Sequence, residues 1–273
     1  MKEALFMKIA DIHAHVFPEK IAAKAAESIA AFYNWKITNA ASMENLIRFE
    51  QAAGVSRYTI SSSAVTPRQV ASINTFIAEE AAKHPECIGF GSIYPGMDGF
   101  EEELDRMMEL GLRGLKIHPD FQKLSIDAES GIETYKAIAK RDLPVLFHMG
   151  DQNFDFSSPE RLTNLLRRVP DLRVIAAHFG GWTVWERSFD HPQPENVMYD
   201  TSSTLSLVDN DLVLRMIDRF GPERCMFGTD FPMWEPKPIV ECMKRIGLDE
   251  ETLERIFYRN YMEFFSLSDD EGV

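Results

Sequence analysis

The chain has 273 residues, of which 29 are basic and 43 acidic, so its formal net charge at pH 7 is -14. This excess of acid argues against a nucleic-acid-binding protein, which needs basic patches, and against attachment to an anionic membrane surface. Hydrophobic residues make up 45% of the chain and supply a sizeable core. The length fits one large α/β barrel or two modest domains.

Cysteine use and hydropathy bear on where the protein works. The three cysteines, Cys87, Cys225 and Cys242, form no C-x-x-C pair and no even set, which predicts neither a disulfide framework nor a structural zinc knuckle. Free thiols are typical of a reducing compartment. The start of the sequence has no signal-peptide pattern, and no apolar run is long enough to span a bilayer. We therefore expect a cytoplasmic, soluble protein, with its oligomeric state left open and a homo-oligomer included.

Short β-rich runs recur along the chain, and each is followed by a helical pattern. The predicted strands are 9–17, 55–62, 87–93, 112–118, 143–149, 172–178, 197–203 and 224–230. Several are apolar throughout, as expected of parallel strands buried on both faces. Eight strand–helix units in this length predict a (β/α)8 TIM barrel in the α/β class. The alternative, a doubly wound sheet, normally has a glycine-rich turn after its first strand, and none follows here.

Capping residues mark the helices between these strands. Ser42 is expected to cap a helix over 43–53, with Gly54 just after its end. Thr66-Pro67 starts another helix, and Asp249 is expected to cap a final one over 250–265.

The domain organisation predicted is a single barrel domain over residues 1–273. Residues 18–54 separate the first two strands widely, and we interpret them as an insertion over the barrel mouth. Its aromatic segment 32–36 either contacts substrate or packs in the ordinary way. The polar tail 268–273 is expected to be frayed.

Metal-competent side chains stand where several of the strands end. His13 and His15 belong to the first strand and, by alternation, share one face with the preceding Asp11. His148 and His178 close the fifth and sixth strands, and Asp230 closes the eighth. In a parallel barrel these ends meet at the carboxyl-terminal mouth, where such barrels carry their active sites. Imidazoles and a carboxylate that converge there are typical of a transition-metal site.

The most specific segments are Asp11-Ile12-His13-Ala14-His15, Gly114-Leu115-Lys116-Ile117-His118-Pro119, the strand-end His148, Ala177-His178-Phe179-Gly180-Gly181, Phe227-Gly228-Thr229-Asp230-Phe231-Pro232 and the late Asn260. Together they resemble the amidohydrolase superfamily, in particular the branch that contains aminocarboxymuconate semialdehyde decarboxylase. The resemblance runs from residue 11 to about residue 265. It implies that His13, His15, His148 and Asp230 bind one divalent metal, usually zinc. It implies that His178 acts as an acid or base or as a further ligand.

The residues themselves suggest a division of roles at such a centre. A zinc ion with an open position lowers the pKa of its bound water from about 15.7 to about 7. Asp230 is suited to orient that water or accept its proton. His178, with an unperturbed pKa of about 6.5, is suited to move a proton. We therefore assign His178 and Asp230 as the catalytic residues.

Lys116 and His118 lie near the end of the fourth strand and are the candidate substrate contacts. In binuclear relatives of the superfamily a fourth-strand lysine is carboxylated and bridges two metals. In the mononuclear branch that this chain resembles it is not, so we expect one metal and an unmodified Lys116. That amine either binds a substrate carboxylate or pairs with Asp11 or Asp200. Asp200, at the end of the seventh strand, contacts a histidine ligand or caps the next segment.

Three functional classes remain to be weighed. The favoured interpretation is a metal-dependent hydrolase of a small amide, lactone or ester. The alternative is a metal-dependent non-oxidative decarboxylase of a small unsaturated or aromatic carboxylate. A decarboxylase usually holds the departing carboxylate with arginine, and Arg68, Arg113 and Arg187 have no compelling position. A binding protein without catalysis gains nothing from five metal-competent side chains at one mouth. The expected partner is thus a small-molecule substrate.

Overall fold

The computed structural model describes residues 7–191 and 193–268, and within this part strands alternate with helices. The strands are β1 Ala10–His15, β2 Arg57–Ser61, β3 Cys87–Phe90, β4 Leu115–Ile117, β5 Val145–Phe147, β6 Val174–Ala176, β7 Val197–Asp200 and β8 Cys225–Met226. The helices are α1 Glu19–Tyr33, α2 Met43–Ala53, α3 Pro67–Lys83, α4 Phe100–Glu109, α5 Pro119–Gln122, α6 Ile132–Lys140, α7 Pro159–Arg168, α8 Trp185–Asp190, α9 Asn210–Phe220, α10 Pro236–Arg245, α11 Glu250–Glu254 and α12 Asn260–Phe264. Each strand lies inside one of the eight predicted windows and is shorter than it.

The strands are parallel and follow one another in chain order around a ring. β1 to β3 form one ladder and β4 to β8 form a second. Single parallel bridges, Ala14 to Phe231 and Gly91 to Leu115, join the two ladders at both seams. At the second seam the backbone N–H of Lys116 also donates to the carbonyl of Gly91 at 2.7 Å. The ladder is therefore discontinuous at two places, and the arrangement is the predicted α/β TIM barrel.

Local capping explains where several helices begin. The Ser42 hydroxyl accepts a hydrogen bond from the backbone N–H of Asn45 at 3.3 Å, and α2 covers the predicted range 43–53. Gly54 follows α2 with φ +77°, a left-handed conformation that ends the helix. Asp249 accepts from the backbone N–H of Thr252 at 2.8 Å and caps α11 as predicted.

The predicted final helix over 250–265 is interrupted by a π-helical turn, Arg255–Arg259, between α11 and α12. The carbonyl of Ile256 accepts a hydrogen bond from the backbone N–H of Phe227, so it is committed to the barrel rather than to the helix. Asn260 also anchors this segment, because its side-chain amide donates to the carbonyls of Pro222 and Cys225 at 2.7 and 2.6 Å. Its role is thus to hold the last helix against β8.

The barrel interior is filled below the mouth. Ala10, Ile12, Leu146, Ile175 and Met226 form an apolar cluster there with residues of the last helical segment. This packing seals the end of the barrel away from the strand carboxyl ends. A separate, larger apolar cluster lies between the strands and the surrounding helices.

The expectation that Asp11 shares a face with His13 is wrong, because β1 contains a bulge. Its register with β2 shifts between Asp11 and Ala14. Ile12, which belongs to the interior apolar cluster, and His13, which faces His15 at the centre, therefore both point inward, and strict alternation fails. Asp11 instead accepts a hydrogen bond from the backbone N–H of Thr229 at 3.1 Å and faces Glu50 of α2.

The buried pair of Asp11 and Glu50 predicts an unusual pH dependence of stability. Burial, and then the charge of Asp11, raises the pKa of Glu50 well above its usual value, and burial raises that of Asp11 to about 6. A raised folded-state pKa means that the folded protein binds more protons than the unfolded chain, so stability falls as pH rises through this window. Glu50→Gln should remove the contribution of Glu50 and stabilise the protein at pH 8 by about 1 to 3 kcal/mol.

Urea unfolding of the two proteins from pH 5 to pH 8 checks this prediction. The difference should grow in favour of Glu50→Gln as the pH rises. A variant that is equally destabilised at every pH would contradict the assignment. Glu44, exposed on the same helix, offers a matched control as Glu44→Gln.

Two further predictions concern the insertion over residues 18–54 and the tail over residues 268–273. Residues 18–54 contain α1 and α2. The predicted frayed tail, 268–273, lies outside the described residues apart from Ser268. No helix in the described part of the chain combines the length and the apolar character needed to cross a membrane.

Candidate active site

The barrel brings the predicted site residues together at the carboxyl ends of its strands. His13 and His15 lie in β1, His148 follows β5 directly, and His178 and Asp230 lie in the segments after β6 and β8. The four histidines are buried. The chain thus places at one mouth the side chains that the sequence marked as ligands and catalytic groups.

Three of these side chains form a close donor cluster. The Nε2 atoms of His13 and His15 are 3.2 Å apart. Oδ1 of Asp230 lies 3.3 Å from Nε2 of His15 and 3.5 Å from Nε2 of His13. These ligand atoms all lie within 4.8 Å of one another, as do those of a second group, His13, His178 and Asp200. Both groups could hold a metal ion, and they share His13.

Hydrogen bonds fix which ring nitrogen of each histidine faces the centre. Nδ1 of His13 lies 2.8 Å from Oδ2 of Asp200, which can only accept, so Nδ1 donates and Nε2 carries the lone pair. Nδ1 of His178 lies 3.0 Å from the carbonyl of Ser202, and Nε2 of His148 lies 3.0 Å from the carbonyl of Gly150. Both nitrogens must therefore donate, which leaves the lone pairs on Nε2 of His178 and Nδ1 of His148.

Those two lone-pair nitrogens face each other at 3.0 Å. With both ring protons committed to carbonyls, no proton lies between them, and two acceptors at this distance repel each other. A cation placed among these nitrogens removes the repulsion. The donor set of imidazole nitrogens and one carboxylate, with its lone pairs turned inward, therefore fits a divalent metal.

Asp200 holds the centre together from behind. Its Oδ2 accepts from His13, and its Oδ1 accepts hydrogen bonds from the backbone N–H groups of His178 and Ser202, each at 2.9 Å. Burial alone would raise its pKa, but His13, His178 and the Ser202 hydroxyl together outweigh burial, and the pKa of Asp200 lies below its usual range. Both roles considered for Asp200 are found here: it contacts the His13 ring, and it caps the segment after β7 through the backbone N–H of Ser202.

Gly150 shows why the loop after β5 needs glycine. Its φ is +79°, and a Cβ there would lie 2.7 Å from the backbone of Gly181 and Trp182. The close approach of these two loops places the Gly150 carbonyl against His148. A side chain at this position would separate them and release the His148 ring.

Three site residues have left-handed backbone conformations that favour glycine. φ is +60° at His178, +48° at Ser203 and +64° at Asp230. Such conformations in non-glycine residues persist where surrounding contacts impose them, and they are concentrated at functional sites. At Asp230 one such contact is the hydroxyl of Ser203, which donates to Oδ2 at 2.6 Å.

Burial sets the charge of the groups around the centre. It lowers the pKa of His15 to about 4 and that of His178 to about 3, so both imidazoles are neutral at pH 7 and can offer lone pairs. It also lowers the pKa of Lys116 to about 8. For Asp230, burial raises the pKa, but His13 and the other histidines outweigh it, and the carboxylate stays ionised.

Lys116 points into the centre. It is fully buried, and its Nζ lies 2.8 Å from Nε2 of His13. The structure thus pairs it with neither Asp11 nor Asp200 in a direct hydrogen bond. Lys116 lines the floor of the cavity beside the donor cluster and supplies a buried cation there.

A cavity of about 390 Å³ opens above these residues. Its floor includes His15, Lys116, His148 and Asp230. α1 forms one wall, with Phe32 and Tyr33 at its end. The volume is in the range of small-molecule sites. His178 does not line this cavity and lies behind His148.

Aromatic contacts hold α1 over the mouth. The Tyr33 hydroxyl lies 2.7 Å from Nε2 of His118, and the His118 ring stacks on Phe121 at 3.6 Å and on His148 at 4.1 Å. The edge of Trp182 also meets Tyr33, with ring centroids 4.9 Å apart. The sequence allows segment 32–36 either to contact substrate or to pack in the ordinary way. The structure shows that its Phe32 and Tyr33 border the cavity.

Several functional residues escaped prediction. Ser202 bonds both His13 and His178, Ser203 bonds Asp230, and Asp120 is buried beside His148. The hydroxyl pair after β7 was visible as Thr201-Ser202-Ser203, a polar segment at a strand end. Asp120, in a segment directly after His118 and Pro119, had the same signal.

Comparison with known proteins identifies the family. The amidohydrolase family model matches residues 10–267. No curated protein matches the chain. Similar solved structures include 5-carboxyvanillate decarboxylase from Sphingomonas paucimobilis, with 16% identity and a TM-score of 0.71 over 96% of this chain and 100% of that one. Another is a dihydroxybenzoic acid decarboxylase from Polaromonas with bound manganese and the inhibitor 2-nitroresorcinol, with 15% identity and a TM-score of 0.70 over 95% and 97%.

A third similar structure is a TIM-barrel protein from Bordetella bronchiseptica, with 18% identity and a TM-score of 0.72 over 95% of this chain and 98% of that one. At such identities the three structures speak for the fold, and they agree with the barrel described above. The family match covers almost the whole chain and both histidines of β1. The chain belongs to the amidohydrolase family, and the resemblance of its motifs to that superfamily is confirmed at the level of the family.

Proposed function

We propose that this enzyme is a metal-dependent, non-oxidative decarboxylase of a small aromatic carboxylate. The observation that carries the proposal is the cavity, which has aromatic walls and ends on metal-competent side chains with a buried lysine among them. A flat ring fits between such walls, and a carboxylate fits the cation at the floor. Two similar structures are decarboxylases of aromatic acids.

This proposal replaces hydrolysis as the favoured reaction. The sequence favours hydrolysis only because none of Arg68, Arg113 and Arg187 has a position suited to a carboxylate. Lys116 supplies the missing cation from inside the barrel, and no arginine is needed. Its ordinary ammonium form is required for this role, so we continue to expect an unmodified amine.

The metal would be held by His13, His15, His148 and Asp230, and His178 borders the same centre. Imidazole ligands suit zinc, which stays our first choice, while the manganese in a similar structure makes that ion the second to test. When bound, the ion would polarise substrate oxygens and stabilise the negative charge that develops as the carbon–carbon bond breaks.

The chain's own residues then orient the substrate and move the proton. Decarboxylation breaks the bond from ring to carboxylate, leaves the electron pair on the ring carbon and requires a proton there. Lys116 binds and orients the carboxylate through Nζ. His178, neutral at pH 7 and lying behind His148, takes up a proton from solvent at Nε2 and passes it to the ring carbon through a water molecule in the cavity. α1 lies over the mouth and limits the access of bulk water to the cavity.

A metal-reconstitution assay tests the proposal. Protein stripped of metal is loaded with zinc or manganese and supplied with hydroxylated benzoates, with small lactones and esters in parallel. We expect metal-dependent release of carbon dioxide from an aromatic acid. Metal-dependent opening of lactones or esters without release of carbon dioxide would contradict it.

Hydrolysis remains the second candidate because of Asp230. Its carboxylate is ionised, lines the cavity and lies beside the histidine donors, an arrangement that can orient a water molecule. The description of the matching family, amidohydrolase, also refers to hydrolysis. The parallel assay with lactones and esters measures this activity directly.

A further inference from the structure

Part of the cavity wall carries polar atoms that the protein leaves unpaired. Oγ of Ser63, Nδ1 of His118 and both carboxyl oxygens of Asp120 are buried without a hydrogen-bond partner among the described residues. All three residues line the cavity. A buried polar atom without a partner costs about 1 to 3 kcal/mol, so such atoms in a binding cavity mark where ligand groups bind.

Asp120 is the charged member of this group. The residue is 2% exposed, and it lies in α5 directly after the Pro119 that starts the helix. Oδ2 lies 3.2 Å from Nε2 of His148, but the proton on that nitrogen is directed to the carbonyl of Gly150. The carboxylate is therefore near the imidazole and free to accept other hydrogen bonds.

Its position separates Asp120 from the metal donors. It lies beside Nε2 of His148, whereas Nδ1 of the same ring faces His178 and the centre. The width of one imidazole thus lies between the donor atoms and the carboxylate. A ligand group that reaches Asp120 is not the group that reaches the centre.

We propose, building on the decarboxylase assignment, that Asp120 determines specificity by accepting a hydrogen bond from a hydroxyl on the substrate ring and by excluding a second carboxylate. A buried anion attracts a hydroxyl through a charge-assisted hydrogen bond. It repels a like charge, and the cost of that repulsion is high where water is excluded. Ser63 and His118 line the same cavity and offer further polar atoms to a ligand. The preferred substrate is therefore a phenolic monocarboxylate.

Calorimetry on zinc-loaded protein tests this inference apart from turnover. The probes are benzoate, 3- and 4-hydroxybenzoate, and the corresponding dicarboxylates isophthalate and terephthalate. We expect one hydroxybenzoate to bind about 10- to 100-fold more tightly than benzoate, the range for a hydrogen bond to a charged group. The dicarboxylates should bind most weakly.

Asp120→Asn and Asp120→Ala should change this order. An asparagine amide can donate to a carboxylate, so Asp120→Asn should bind the dicarboxylates about tenfold more tightly and the hydroxybenzoate about tenfold less tightly. Asp120→Ala should bind benzoate and the hydroxybenzoate with similar affinity. Asp151→Asn is the matched control, because Asp151 is a nearby buried acid that caps Asn153 and does not line the cavity.

Each outcome supports or overturns the inference. Unchanged relative affinities in both Asp120 variants would overturn it, as would wild-type protein that binds none of the probes. Loss of metal from Asp120→Asn would show that the residue acts by positioning His148 instead, and would also overturn it. Selective binding without release of carbon dioxide would leave the specificity inference standing and reject the proposed reaction.

Discussion

The His178→Asn variant is expected to keep its divalent metal and to lose turnover by about 10²- to 10⁴-fold, the range for loss of a general acid or base. Metal retention follows from the close cluster of His13, His15 and Asp230, which forms without His178. Asparagine keeps a donor toward the Ser202 carbonyl, so the local packing should survive. The loss of turnover follows from removing the lone pair on Nε2.

Metal content and turnover must be measured on the same preparations. His13→Asn is the reference variant, since His13 belongs to both donor groups. If His178→Asn loses its metal as completely as His13→Asn, then His178 is a primary ligand. The 3.0 Å contact between Nε2 of His178 and Nδ1 of His148 would then be part of the coordination sphere, and the proton would have to move through Asp230.

The Asp230→Asn variant should lose metal and turnover together. Its carboxylate is the anionic member of the cluster, 3.3 and 3.5 Å from the two histidine nitrogens of β1. An amide removes the charge and leaves a weaker oxygen donor. We expect metal affinity to fall by more than the roughly 10- to 100-fold typical of a residue that only supports a ligand.

Asp200→Asn supplies that comparison. Asp200 is also a buried aspartate, but it reaches the centre through Nδ1 of His13. Its variant should lose metal affinity by about 10- to 100-fold and recover activity at high metal concentration. Titration of both variants with zinc separates the two roles. Equal affinities would show that Asp230 is not a ligand.

The positions of the ligands were predictable because the sequence places them relative to strands. His148 and His178 end apolar runs of parallel-strand type, and parallel strands end at one edge. The capping residues were equally direct: Ser42 and Gly54 bracket α2 at the predicted bounds. In both cases a short-range pattern determines the structure.

Other features depend on contacts between distant segments. The bulge in β1 places the Asp11 side chain away from the His13 ring, although its carboxylate accepts from the His13 backbone N–H, and nothing in Asp11-Ile12-His13 predicts the bulge. Burial lowers the pKa of His178 to about 3, whereas the sequence suggested a histidine that titrates near neutrality. The burial of Lys116 and the open acceptors of Asp120 likewise require the assembled barrel. Of these features, the burial of Lys116 at the cavity floor is the one from which we propose decarboxylation rather than hydrolysis.

The left-handed backbone at His178, Ser203 and Asp230 lowers the stability of the fold at residues whose side chains the site needs for activity. Each such conformation costs on the order of 1 to 3 kcal/mol in a non-glycine residue. Replacement by glycine would relieve that cost while removing an imidazole, a hydroxyl or a carboxylate from the centre. Selection for thermal stability alone would therefore favour glycine at these three positions, and the resulting variants would be inactive. A library screened only for folding should enrich glycine there, and one screened for turnover should exclude it.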